Sequence, residues 1–204
     1  MSSIKAHRNV ISYERAWQDG GYFYIVMELC QGGNLAKVLE SLDCPMSTRR
    51  VFSLASGFLA GLEHIHGYKF MHLDLKPDNL FLCDEVGIKI GDFGLCIRED
   101  EWEDQEGDRR YLAPEILNSQ ATCKSDVFSA GLIIFQMLKN LKDLPGNGND
   151  WHLLRQNFSF SASDPGQDGL AQIVGEMIKM DPERRLSSSD ALARILSWGS
   201  TLTL

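Results

Sequence analysis

Between Asp126 and Leu138 the chain is apolar nearly all round: Val127, Phe128, Ala130, Leu132, Ile133, Ile134 and Met137 leave almost no polar face on a helix of about 3.6 residues per turn. A helix of that kind has to be enclosed by other elements, so the chain must build a helical domain with this segment inside it. Amphipathic segments supply the enclosure. From Ser47 onward Val51, Phe52, Leu54, Ala55, Phe58, Leu59, Leu62 and Ile65 fall at helical spacing, and two more helices fit Gly169 to Lys179 and Ser189 to Trp198, the last capped by a Ser or Asp. The front differs. Asn9 to Glu14 and Tyr22 to Met27 are β-rich runs split by Gln18-Asp19-Gly20-Gly21, which signals a hairpin, and Asn34 after Gln31-Gly32-Gly33 can cap a short helix through Leu35, Val38 and Leu39. Hydrophobic runs at Asn79 to Leu82 and Ile88 to Ile90 read as short strands. The expected fold class is α+β: a small β piece, then a mainly helical body, with a loop-rich stretch between residues 67 and 120.

Composition excludes some functions. At 204 residues, 44% apolar and 24% charged, the chain has the makeup of an ordinary soluble domain. Its 28 Asp and Glu against 20 Lys and Arg give a net charge of −8, which argues against a nucleic-acid partner held through phosphates. The five cysteines, Cys30, Cys44, Cys83, Cys96 and Cys123, form no Cys-x-x-Cys pair and no zinc spacing, and read as reduced thiols of a nuclear or cytoplasmic protein. No apolar run reaches the roughly 18 residues of a membrane span, and Met1 to Lys5 carries no signal pattern, so no membrane segment is expected in this chain. The acidic run Glu99 to Glu106 reads as a solvated loop.

The chemistry is concentrated in His72-Leu73-Asp74-Leu75-Lys76-Pro77-Asp78-Asn79, followed by Asp92-Phe93-Gly94 and then Ala113-Pro114-Glu115. One Asp-x-Lys alone would be a solvated turn. Together the three motifs resemble, in order and separation, the catalytic loop, metal-binding loop and activation-segment end of the eukaryotic protein kinase family. Phosphoryl transfer needs an acceptor-orienting base, divalent cations and positive charge on the phosphates. The resemblance implies that Asp74 orients the substrate hydroxyl and accepts its proton, that Lys76 steadies the γ-phosphate, and that Asn79 and Asp92 hold Mg2+ against ATP with hard oxygen ligands. It also implies an adenine-binding hinge at Glu28-Leu29-Cys30 with Met27 as gatekeeper, and Phe81 under the base. His7-Arg8-Asn9-Val10 resembles the turn after the small lobe's helix, Asp126 the aspartate that ties down the catalytic-loop backbone, and Arg185 the partner of Glu115. His64 and His66 are expected to be structural, and His72 to pack on Phe93 rather than act as a base.

Two departures narrow the resemblance. Leu73 stands where an Arg commonly pairs with an activation-loop phosphate, so the activation segment should be ordered by other contacts. Glu106-Gly107-Asp108-Arg109-Arg110-Tyr111 replaces the usual Gly-Thr-x-x-Tyr. Both features are similar to the Wee family of cell-cycle inhibitory kinases, and Asp92-Phe93-Gly94 favours its membrane-associated branch, although Met27 is larger than the gatekeepers typical there. That likeness implies phosphorylation of tyrosine, and in that branch also threonine, in the glycine-rich loop of a cyclin-dependent kinase.

The fold implied is kinase-like, with residues 1–30 as an incomplete small β lobe of hinge-proximal strands and residues 31–204 as a mainly α-helical large lobe. Within the 204 residues no Gly-x-Gly-x-x-Gly or strand lysine precedes the hairpin, and Lys5, beside the His7-Arg8-Asn9 turn, is no substitute. Three readings therefore stand: the legible portion of an active protein kinase, a catalytically dead or weak kinase-like scaffold that binds partners, or a likeness of architecture alone. Retention of Asp74, Lys76, Asn79 and Asp92 favours the first, with little transfer expected from residues 1–204 by themselves.

Overall fold

The computed structural model describes residues 4–83, 87–118, 120–156 and 167–202. Strands β1 (Tyr13–Asp19) and β2 (Tyr22–Met27) form an antiparallel hairpin in which Trp17 faces Tyr24 and Asp19 faces Tyr22. Its turn is Gly20-Gly21, both at positive φ (55° and 83°), as a two-residue turn matching the strand twist requires. The hairpin starts later than the sequence pattern suggests. Asn9 to Ile11 run beside a later strand, β5 (Gly87–Ile90): Ile90 N donates to Asn9 O at 2.9 Å and Ile11 N to Ile90 O at 2.8 Å. The hydrophobic Val10 and Ile11 are buried in this contact, which a local β pattern does not distinguish from hairpin pairing.

Helix α1 (Leu35–Ser41) is capped by Asn34, whose Oδ1 accepts from Lys37 N at 3.1 Å. Helix α2 (Thr48–Gly67), capped by Ser47, buries the whole expected stripe from Val51 to Ile65 except the half-buried Phe52. A two-residue strand β3 (Phe70–Met71) leads into the loop 72–79, then β4 (Leu80–Cys83) pairs antiparallel with β5, and β6 (Ile97–Arg98) pairs with β3. Helix α3 (Cys123–Lys139) begins at a reciprocal Thr122–Ser125 cap and is buried on nearly every face, as its composition demands. Around it pack α2 and α5 (Asp168–Met177), with α6 (Ser188–Gly199), capped by Ser187, closing the far side of α2.

Helix α4 (Gly148–Gln156) is absent from the sequence expectations. It buries Trp151 and Arg155, four residues apart, and an inward-facing arginine breaks the apolar period by which a helix is read.

Cys30 and Cys83 are joined as a disulfide, a correction to the expectation of five reduced thiols. Their Cα atoms lie 4.9 Å apart, within bridging range. The reason is register: Gly32 N donates to Leu82 O at 3.1 Å and Leu82 N to Gly33 O at 2.8 Å, so the loop after β2 runs alongside the end of β4. Residues 53 apart in sequence give no such signal. Cys44, Cys96 and Cys123 are free. No helix among the described residues is long and apolar enough to cross a membrane.

The lower body is pinned by one buried ion pair. Arg185 donates from Nη1 to Glu115 Oε1 at 2.5 Å and from Nη2 to Oε2 at 2.9 Å, with further bonds to the carbonyls of Lys179 and Lys124, while Ser125 Oγ donates to Glu115 Oε1. Removing one partner strands a buried charge. Arg185→Met is therefore expected to lower unfolding free energy by about 3–5 kcal/mol in a denaturant titration; a change below about 1 kcal/mol would show that the pair is not structural.

Candidate active site

The loop 72–79 ends in a single 3-10 turn at Pro77–Asn79, and the shape of its first residues is imposed from below. Asp126, in the first turn of α3 and 1% exposed, accepts from His72 N (2.7 Å), Leu73 N (2.8 Å) and His66 Nε2 (2.9 Å). These bonds hold Leu73 in the left-handed region at φ 64°, which a branched side chain rarely adopts unassisted. Burial alone would raise the Asp126 carboxyl, but the His66 hydrogen bond and the surrounding donors outweigh it and hold the group below its ordinary range. His66 is a structural histidine, bonded also to Ser188 Oγ at the start of α6. His64 is as well, donating from Nε2–H to Lys5 O at 2.7 Å and stacked on His7.

His72 is fully buried, and burial pushes its pKa down, leaving it neutral. The neutral ring fits its contacts: Nε2–H donates to Gly91 O at 3.0 Å and Nδ1 accepts from Asp74 N at 3.3 Å. Its ring lies 5.2 Å from that of Phe93, the packing role expected of it.

Around Asp74 three groups converge. Lys76 Nζ donates to Oδ2 at 2.8 Å, Asn79 Nδ2 donates to Oδ2 at 3.0 Å and to the Asp74 carbonyl at 2.8 Å, and Asp108 N donates to Oδ1 at 3.2 Å. Burial lowers the Lys76 pKa, yet its bond to Asp74 and the charges of Asp74 and Asp108 raise it overall, so the ammonium persists at neutral pH. Because Asn79 commits its NH2 to Asp74, its Oδ1 is the atom left to face another partner. Asp92 reaches the same place through β4–β5. Gly91 N donates to Asn79 O at 2.9 Å, and Asp92 follows at φ 57° with an exposed carboxylate that accepts from Gly94 N at 3.3 Å. Asn79 Oδ1 and the Asp92 carboxylate are hard oxygens, a donor type that suits a small divalent cation whose remaining ligands are water and phosphate oxygen.

The segment 97–112 is held by side-chain contacts along its length. Arg110 pairs with Asp108 and, at 3.0 Å, with Asp143, Glu99 Oε1 accepts from Cys123 N, and Tyr111 OH donates to Gln136 Oε1. Gly107 explains why glycine precedes Asp108: a Cβ there would sit 2.1 Å from Leu73 O and 3.2 Å from Asp74 Oδ1. Above, Glu28 spends its amide on Ser12 O and its carboxylate on Ser12 N (2.6 Å) and Lys89 Nζ (2.6 Å).

Residues 1–196 match the protein kinase domain family. The chain belongs to that family. It is 34% identical over 199 residues to the membrane-associated tyrosine- and threonine-specific cdc2-inhibitory kinase wee-1.3 of Caenorhabditis elegans, covering 93% of this chain and 28% of that protein. Over 170 residues it is 40% identical to the mitosis inhibitor protein kinase SWE1 of Candida albicans (81% of this chain, 14% of that protein), and over 221 residues 31% identical to the mitosis inhibitor protein kinase wee1 of Schizosaccharomyces pombe (94% and 25%). These relatives make it a Wee-family kinase domain, and the chain spans between 14 and 28% of their lengths.

Against the kinase pattern, the structure brings Lys76 and Asn79 into direct contact with Asp74, and bonds Gly91, the residue before Asp92, to the Asn79 carbonyl. Phe81 lies on β4 against Gly91, where a Cβ would come within 2.8 Å of its ring. Met27, 49% exposed, ends β2, and the Cys30 side chain is taken by Cys83, so the hinge of this kinase can meet a ligand there only through backbone groups. The sequence marks Glu106-Gly107-Asp108 as unusual without giving it a contact, and carries no sign of the Asp126–His66–Ser188 chain or the Lys89–Glu28 pair. A glycine followed by an acidic residue near a catalytic loop is the one signal that pointed to the first of these.

Ionised Asp126 contributes stability that is present above about pH 4 and is lost as pH falls through its depressed folded value. Asp126→Asn should destabilise the kinase by at least about 2 kcal/mol at pH 7, since bonds to a charged acceptor are lost. It should also flatten the acid limb of the stability–pH curve. An unchanged acid limb would remove Asp126 from this role.

Proposed function

We propose that this kinase domain transfers the γ-phosphate of ATP to a protein hydroxyl, and that its target is a cyclin-dependent kinase held inactive by phosphorylation on tyrosine or threonine. The observation that carries the reading is the Asp74 carboxylate held by Lys76, Asn79 and the Asp108 amide on a loop locked by Asp126. The target is supported by the names of the relatives, cdc2-inhibitory and mitosis inhibitor kinases.

In this reading Asp74 receives the acceptor hydroxyl, orients its oxygen toward the γ-phosphorus and takes up its proton as the new P–O bond forms and the bond to the β–γ bridging oxygen breaks, leaving ADP. Lys76 balances charge on the transferred group. Asn79 Oδ1 and Asp92 would hold magnesium, which would supply neutralising charge to the phosphates. Glu28 and Cys30 meet adenine through the hinge backbone, Phe81 lies beneath it, and Met27 limits the depth of the pocket.

A second reading, a partner-binding chain without transfer, is favoured by the hairpin: Tyr22, Phe23, Ile25 and Leu29 are 70%, 69%, 54% and 85% exposed, a broad apolar surface. Kinetics separate the two. Asp74→Asn in a protein that also carries a complete small lobe should lower kcat about 1000-fold or more with ATP affinity retained, and undiminished phosphorylation would take Asp74 out of the mechanism. Residues 1–204 alone, which contain no glycine-rich loop before the hairpin, should bind ATP at least about tenfold more weakly than a kinase domain that has one; equal affinity by calorimetry would refute this.

A further inference from the structure

Three carbonyl oxygens of the strip just before Ala113-Pro114-Glu115 converge on a single side chain. Arg155 of α4, 2% exposed, donates from Nε and Nη2 to Leu112 O (3.1 and 3.0 Å), and from Nη2 to Arg109 O and Arg110 O (both 3.1 Å). Its Nη1 reaches Trp151 O at 3.3 Å, and its guanidinium lies 3.8 Å from the centroid of the Trp151 ring. Trp151 adds a bond of its own, from Nε1 to Arg109 O at 2.7 Å. Burial pulls the Arg155 pKa down to about 10, which leaves the cation intact at neutral pH. Among the described residues no carboxylate is paired with it.

Burying a cation is costly unless its donors are met. Filling the space behind α4 would need only an apolar side chain, so the charge has to be explained by what it binds. It binds backbone, and among the described residues its hydrogen bonds outside its own helix all go to the strip. That strip is continuous with Asp108, whose N–H reaches Asp74, and with Tyr111, whose hydroxyl and carbonyl are held by Gln136 and Ser129 of α3. Leu73 leaves no arginine on the catalytic loop to gather this segment, and Arg155 gathers it from the opposite side.

We propose that Arg155 is a positioning residue that fixes residues 109–112 relative to Asp74, and so sets where an acceptor peptide is presented for transfer. The inference rests on the phosphotransfer reading for its consequence, but its structural half stands separately. Guanidinium geometry matters here, because one planar fork makes five contacts to four carbonyl oxygens, more than the three donors of an ammonium can supply.

The test uses the full-length protein with Arg155→Met, Arg155→Lys and, as a milder probe that keeps the ring, Trp151→Phe. Two measurements are made on the folded fraction: hydrogen exchange at the amides of residues 109–112, and KM and kcat for a tyrosine acceptor peptide alongside KM for ATP. Expected is faster exchange in this strip with other protected amides unchanged, a fall in kcat/KM for the peptide of about tenfold to 100-fold for Arg155→Met, a smaller loss for the other two, and ATP KM within about twofold of wild type. Equal loss toward ATP and peptide, or exchange rising uniformly across the domain, would mean that Arg155 only stabilises the fold and would overturn the proposal. If the wild-type protein transfers nothing, the kinase reading falls, and the exchange pattern alone then decides whether Arg155 holds the strip.

Discussion

One buried carboxylate organises this molecule. Asp126 sits at the start of α3, a helix buried on nearly every face, and, through three donors, fixes the end of α2, the backbone of the catalytic loop and, by way of His66 and Ser188, the start of α6. A charge in that position is tolerated because every donor that meets it is itself buried and because the first turn of α3 presents its positive end. What it returns is a loop with a non-glycine residue in the left-handed region and an aspartate aimed outward. Without that anchor, Asp74, Lys76 and Asn79 would belong to a flexible turn.

A second tier of contacts builds on this one. The activation segment closes against the catalytic loop through the Asp108 amide and the missing Cβ of Gly107, then is held by Arg110, Tyr111 and Arg155. The interactions are charge-assisted or backbone-directed, and none calls for a covalent phosphate. Leu73, 5% exposed, packs into the core where other kinases place a phosphate-binding arginine, so the local chemistry of the segment and that of the loop agree.

Much of this was legible in the sequence. The period of α2 and the all-apolar α3 required a helical body, the Gly20-Gly21 pair required a hairpin, and the ordered motifs around Asp74 and Asp92 pointed to phosphoryl transfer. Asp126, Glu115 and Arg185 could be assigned to their partners because the family pattern fixes their spacing. The remainder escaped for physical reasons. Helix α4 turns an arginine inward, so no apolar period marks it. The Cys30–Cys83 pairing follows from the register of two segments that are distant in sequence, and the path of Asn9 to Ile11 along β5 looks locally like any other β-rich run. Arg155 was missed because its partners are backbone carbonyls, which carry no side-chain signature.

The central claim is spatial: Asn79 and Asp92 must present their oxygens to one metal ion beside Asp74. Titrating the protein with manganese and ATP while following backbone and Asn side-chain resonances tests it directly, since broadening by the paramagnetic ion falls off steeply with distance. The account predicts that the Asn79 side-chain amide and the amides around Asp92 broaden first, with Asp74 close behind and the α6 region unaffected. Broadening centred anywhere else, or at only one of Asn79 and Asp92, would contradict it.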